Sequence, residues 1–220
     1  MATQAKEARP VNPPAVDGTV RAAKPRTSAK GEQTRARLIA AARLLMADQE
    51  VPFTTRNVAA RAGVTHGMCH YHFADRTDLI LAVVEDIRPE WILPLEEAVA
   101  LPGSFAQRAD RVIEFFSEPE GDDLAPLYTS VHWFAQNDAR VRESWEAEYR
   151  RWRAAFVALF RVLAEELGNG VDPQPLGDAA ASAVDGMAAI RSLNAEIDTP
   201  SVVRALIHGL ARGAEYPAAS

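Results

Sequence analysis

Residues 54–73, TTRNVAARAGVTHGMCHYHF, gather three histidines, a cysteine, a tyrosine, two arginines and three threonines into twenty positions. Two kinds of chemistry suit such a set. Arginine, histidine, threonine and tyrosine donate hydrogen bonds to phosphate oxygens and base edges, and a planar guanidinium pairs with guanine through two bonds at once. Histidine and cysteine also ligate transition metals, and His66 and His70 are four residues apart, a spacing that puts both on one helical face. A structural zinc site needs four ligands, however, and Cys69 and His72 project from other faces. The histidines therefore read as phosphate-side donors; no metal and no cofactor is expected, and a metal sensor is the minor alternative. Catalytic signatures are missing: there is no glycine-rich phosphate loop, no zinc-protease histidine pair and no nucleophile elbow. Glu165, Glu166 and Asp185 read as a solvated face and a helix-interface residue. No catalytic residue is assigned, and an enzyme is not expected.

The elements that must carry these groups are two short helices. Thr54 or Thr55 caps the first, with Phe53 placed to staple against Val58. Val58, Ala59 and Ala62 form a narrow apolar stripe, and Gly63 stands where the chain needs positive φ to turn. Val64 plugs the core, and a second helix starts at Thr65. Helix, glycine turn, helix is the helix-turn-helix arrangement, whose second helix enters the DNA major groove. Thr65, His66, Gly67 and Met68 lie near the start of that helix, where side chains reach base edges. Gly67 lets backbone approach the groove. Cys69 points inward as a small apolar residue and Phe73 packs against the first helix of the domain.

These residues resemble the TetR-type transcriptional regulators. The resemblance runs through TRARLIAAARLL (34–45), TTRNVAARAGVT (54–65), YHF (71–73) and DRTDLI (75–80), in order and in register. A weaker likeness to the BetI-like C-terminal domain rests on YRRWRAAFVALF (149–160), VDGMAAIRSL (184–193) and a closing helix near 201–213. The resemblance implies that Arg56 and His66 contact bases. It implies that Thr54, Tyr71, His72 and Arg76 hold or flank the phosphate backbone, and Thr55 joins this surface. The chain departs from the family at Met68, where a small hydroxyl residue is usual, at Cys69, where leucine is usual, and at His70, which replaces a characteristic tyrosine. His70 still donates to phosphate, and because histidine changes charge near neutrality, operator affinity is expected to rise as pH falls.

Composition and charge agree with this reading. With 220 residues, 48% of them apolar, the chain has material for a packed core, and its single cysteine excludes an internal disulfide framework. No run resembles a membrane helix or a secretory leader, so a cytoplasmic protein is expected. The net charge of −6 is unevenly spread: residues 1–30 carry +4, residues 31–80 carry +1 and residues 81–220 carry −11. A basic front joined to an acidic body is expected where one end alone meets phosphate. Residues 1–30 read as a disordered basic tail, with Arg21, Lys24, Arg26 and Lys30 available to phosphate or the minor groove.

The expected fold is all-α, about nine helices. A three-helix helix-turn-helix domain spans 31–90 (motif 54–73), and a larger ligand-binding and dimerisation domain spans 91–216. Helices are predicted near 32–48, from Asp75 to beyond Ile87 with Pro89 and Pro94 complicating the far end, and near 105–117, 124–137, 139–168, 176–195 and 201–213. The body's aromatic set predicts a small-molecule cavity lined by Phe115, Tyr128, His132, Trp133, Gln136, Trp145, Tyr149, Trp152 and Met187. Glu146 or Glu148 among those rings would suit an organic cation, a choice that leans on the BetI-like likeness. The last two helices predict a dimer interface through Ala183, Met187, Ile190, Leu206 and Leu210; closing the monomer core is the other reading of the same apolar face. The implied function is a dimeric repressor that binds a palindromic duplex operator and is released by a small-molecule effector. A helical partner protein that has lost DNA binding is the alternative.

Overall fold

The computed structural model describes residues 29–48, 50–117, 120–191 and 196–215. The tail at residues 1–28, with Arg21, Lys24 and Arg26, lies outside the described residues, whereas Lys30 sits on the first helix. Nine helices and no strand occur among the described residues: α1 Ala29–Ala47, α2 Thr55–Arg61, α3 His66–His72, α4 Arg76–Ala100, α5 Phe105–Phe115, α6 Glu120–Asn137, α7 Ala139–Leu167, α8 Pro173–Arg191 and α9 Thr199–Glu215. None of the described helices is long and apolar enough to cross a membrane.

Local chemistry sets most of the helix starts. The Asp75 carboxylate accepts the Asp78 N–H at 2.7 Å to open α4, and Asp138 accepts the N–H groups of Arg140 and Val141 to open α7. Ser104 and Gln107 form a reciprocal capping box at α5. Gly168 ends α7 in the left-handed conformation, φ 59°. The sequence pattern located these ends to within a few residues. It misjudged α4, which continues unbroken through Pro89 and Pro94 to Ala100. Each proline removes a backbone hydrogen bond. Burial of Ile87, Trp91, Ile92, Leu95, Ala98 and Val99 along the same helix offsets that loss.

α7 is the central post, packed chiefly on α8 and α4, with Phe156 and Phe160 fully buried on it. Gly177 permits the tight α7–α8 crossing, since a Cβ there would lie 2.6 Å from the Val157 backbone. A buried ion cluster also braces α4 against α7. Arg88 donates to the Glu148 carboxylate at 2.6 and 2.9 Å, and Arg151 forks Glu96 while lying 3.5 Å from Glu148.

α1, α2 and α3 form a head that meets the body at the corner between α6 and α7. Ser130 of α6 donates to the Met46 carbonyl of α1, Phe53 packs on Phe134 with ring centroids 5.4 Å apart, and the Arg76 guanidinium lies over the Phe134 ring. Thr77 donates to Asp138, and Arg140 reaches both Asp75 (2.7 Å) and Asp78 (3.0 Å). The start of α4 is thereby tied to the start of α7.

Candidate nucleic-acid interface and ligand cavity

The turn between α2 and α3 is built as the residues require. Thr54 caps α2 by accepting the Asn57 N–H at 3.1 Å, and Val58 and Ala59 are buried beneath. Gly63 takes φ 65°, and the Val64 N–H returns to the Ala59 carbonyl at 3.0 Å. Arg37 of α1 donates to the Ala62 carbonyl, which pins the turn to the head. Phe53, read as a staple for Val58, stacks on Phe134 and so also joins head to body.

α3 buries one side and offers the other to solvent. Cys69 is fully buried and Phe73 nearly so, with Arg35 over the Phe73 ring. Thr65, His66, Gly67, Met68, His70 and Tyr71 are exposed, Tyr71 at 74%. Arg56 and Thr54 on the α2 side and Arg76 on α4 are exposed too, with Thr55 half-buried. Thr55 Oγ1 lies 3.0 Å from His66 Nε2, which lies 3.1 Å from His70 Nε2. The two rings thus share one polar contact and stand edge to face. A Cβ on Gly67 would meet nothing within 4 Å, so the protein itself has room for a side chain there. His72 is placed differently from its neighbours. It faces a groove between α1 and α4, lined by Arg35, Phe73, Asp78, Glu85 and Asp86, and its buried Nε2 has no partner among the described residues.

In the body, a cavity of about 540 Å³ opens between α6, α7 and α8. Tyr128, Thr129, His132, Ala135 and Gln136 line it from α6, Arg142, Trp145, Glu146 and Tyr149 from α7, and Ser182, Asp185, Gly186 and Ala189 from α8. Tyr128 donates its hydroxyl to Asp185 Oδ1 at 2.8 Å, and Tyr149 hydrogen-bonds the same carboxyl. Burial pushes the Asp185 carboxyl up to about 6, against the opposing pull of the two hydroxyls and of His132. Burial beside that carboxylate likewise raises the Tyr128 and Tyr149 phenols, which stay protonated donors. Arg142, in the same lining, donates to the carbonyls of Ala135 and Gln136 at the end of α6.

The matching family model is that of bacterial regulatory proteins of the tetR family, over residues 38–83, the stretch from α1 through the turn into α4. That match places the head of this chain alongside the tetR-family regulators. The chain is 32% identical over 101 residues to the HTH-type transcriptional dual regulator CecR of Shigella flexneri, a match covering 46% of this chain and 41% of that protein. The chain thus spans about two-fifths of the length of this curated relative. Among solved structures it is similar to a transcriptional regulator from Pseudomonas aeruginosa PAO1, with TM-score 0.73 and 22% identity over 85% of this chain and 92% of that one. The SmeT–triclosan complex superposes with TM-score 0.67 at 20% identity, over 82% and 91% of the two chains. A regulator from Saccharomonospora viridis in complex with choline gives TM-score 0.66 at 18% identity, over 84% and 97%. At these identities the structural likeness concerns the fold.

Within this fold, the cavity set expected from the sequence divides. Tyr128, His132, Gln136, Trp145 and Tyr149 line the space. Phe115, Trp152 and Met187 do not: Trp152 and Met187 are buried, and Phe115 packs against the core in contact with Phe116. Trp133 also lies outside the lining, 57% exposed with its ring against Phe134. Aromatic spacing alone does not distinguish a ring that fills a core from one that walls a cavity. Glu148, weighed as a cation partner, is enclosed by Arg88 and Arg151, whereas Glu146 stands in the cavity wall. Asp185, read as a helix-interface residue, is a half-buried acid in the cavity wall. Its signal was the one charge within a small and apolar stretch, AAASAVDGMAAI. Of the dimer set, Met187 is buried at 8%, Leu206 and Leu210 are half-buried, and Ala183 and Ile190 are exposed.

Proposed function

We propose that this chain is a ligand-released transcriptional repressor of the TetR type. Residues 31–90 serve as the reading head and residues 91–216 as the ligand-binding and dimerising body, in a cytoplasmic homodimer on a palindromic operator. The observation that carries the reading is the solvent-facing side of α3 after the Gly63 turn, flanked by Arg56 and Arg76. Arg56 and His66 would read bases, with Thr65, Gly67 and Met68 at the groove floor. Thr54, Thr55, His70, Tyr71 and Arg76 would hold phosphate, while His72 supports the head from the α1–α4 groove.

The effector would occupy the cavity between α6, α7 and α8. SmeT with triclosan and the Saccharomonospora viridis protein with choline are neighbours that hold small molecules, which supports an effector site in the body. Both ends of the α6–α7 corner are engaged: Arg142 holds the end of α6 beside the cavity, while Asp138 and Arg140 hold the start of α4. Ligand that favours a displaced corner would reset the spacing of the two heads, and a coupling of about 1–3 kcal/mol is typical. For the dimer, Ala183, Ile190, Leu206 and Leu210 lie on a stretch where Gly186, Gly209 and Gly213 have open space above them.

Selection of bound duplexes from random DNA tests the reading. A palindromic site with half-sites one helical turn apart is expected, and Arg56→Ala should lower affinity for it by about 1–3 kcal/mol. Absence of duplex binding at low salt would instead point to a partner protein.

A further inference from the structure

The unusual group in the body is Asp185. Glu148, the other enclosed acid discussed above, is neutralised by Arg88 at 2.6 Å. Among the described residues, Asp185 receives tyrosine hydroxyls, from Tyr128 at 2.8 Å and from Tyr149, and His132 lines the same cavity. Two arginines of α7 are committed to other partners. Arg142 is bonded to the Ala135 and Gln136 carbonyls, and Arg153 to Asp178 at 2.6 Å. The chain has no lysine after Lys30. Glu146 adds a second carboxylate to the same wall. Trp145, 4% exposed in that wall, keeps a buried Nε1–H with no partner among the described residues.

We propose that this cavity takes an organic cation, an amine or quaternary ammonium on an apolar or aromatic body, whose charge sits against the Asp185 carboxylate. The inference rests on the effector reading above and names its ligand class. The half-buried Asp185 carboxylate is disfavoured in its charged form despite the pull of His132, and a bound cation offsets that penalty. An anion meets two carboxylates and a neutral molecule leaves the penalty in place. The rings of Tyr128, Trp145 and Tyr149 give the cation an aromatic surround. An acceptor on the ligand would satisfy the Trp145 N–H. The volume of about 540 Å³ lies within the range of drug-sized sites.

The charged and titratable groups facing Asp185 are Tyr128 and His132 from α6 and Arg142, Glu146 and Tyr149 from α7. A quaternary ammonium probe has no titration of its own, so its pH dependence belongs to the protein. With Asp185 ionising near 6, affinity is level in mildly alkaline buffer and falls as pH drops through that value. His132 lines the same cavity and acts on the carboxylate, so the series is repeated on His132→Gln to isolate Asp185.

Calorimetry on the full chain uses four probes of one shape: benzyltrimethylammonium, phenethylammonium, 2-phenylethanol and phenylacetate. The cations are expected to bind, the neutral and anionic probes to bind much more weakly, and Asp185→Asn to cut cation affinity about 10–100-fold. Asparagine keeps the shape and an acceptor for a tyrosine hydroxyl, and circular dichroism checks that the variant is folded. Equal binding of 2-phenylethanol or phenylacetate, failure of both cations to bind at millimolar concentration, or unchanged cation affinity in Asp185→Asn overturns the proposal. Release of a selected duplex is measured separately. A cation that binds through Asp185 without releasing DNA sustains the ligand class and defeats the effector reading. A neutral compound that fills the cavity and releases DNA does the reverse.

Discussion

Asp185 ionises near pH 6 in the fold, against 3.8 for an ordinary aspartate. Between those values the folded chain binds more protons than the unfolded one. Its contribution to stability therefore declines as pH rises through this window and stays reduced above it. Thermal melts of Asp185→Asn against the parent should show the variant's relative stability growing across that window and levelling near neutrality. A difference independent of pH would mean that the charge is not disfavoured. Gly67 gives a complementary residue-scale prediction. Because nothing lies within 4 Å of its missing Cβ, Gly67→Ala should leave the melting temperature at or slightly above the parent's. Duplex affinity should fall if the backbone is what approaches DNA, and unchanged affinity would remove Gly67 from the interface. The residue identities at both positions were plain in the sequence. What could not be read was the space around each, since burial and clearance depend on elements distant along the chain.

At the scale of elements, α7–α8 packing and the α6–α7 corner carry separate loads. A Cβ on Gly177 would press on Val157 backbone atoms, which cannot rotate away as a side chain would. Gly177→Ala should push α8 off α7 and cost about 1–3 kcal/mol in urea denaturation. The corner is exposed and should matter for coupling rather than stability. Arg140→Ala removes the fork to Asp75 and Asp78. The variant should bind the cavity probe as the parent does and show a smaller ligand-induced change in duplex affinity. An unchanged response would place the coupling elsewhere. Helix caps such as Thr54 and Asp75 were legible because they act over three residues. The continuity of α4 through two prolines was not, because burial against other helices overrides the local cost.

For the whole molecule, the charge asymmetry and the exposed face of α8 and α9 set expectations. Ile190, 53% exposed, and Val202, 44% exposed, are large apolar residues left in water by the single chain. Ile190→Glu with Val202→Glu should shift sedimentation from dimer to monomer with little change in the melt, since both side chains are exposed in the single chain. Operator affinity should fall with it, because two linked heads bind as one unit. A dimer that survives both changes would place the interface on another face.

The sequence by itself determined what acts over short range: an all-helical chain, its helix ends, the glycine turn, and the family-specific order of residues in the head. Those features depend on neighbours three or four positions away, which any reader of the chain can count. Tertiary structure decided which aromatics wall a cavity and which fill a core, which half of α8 and α9 closes the monomer, and that Asp185 is a half-buried acid hydrogen-bonded by two tyrosines. Each of these depends on the crossing of α6, α7 and α8, and crossing geometry is a property of packed surfaces, not of spacing along one strand of sequence.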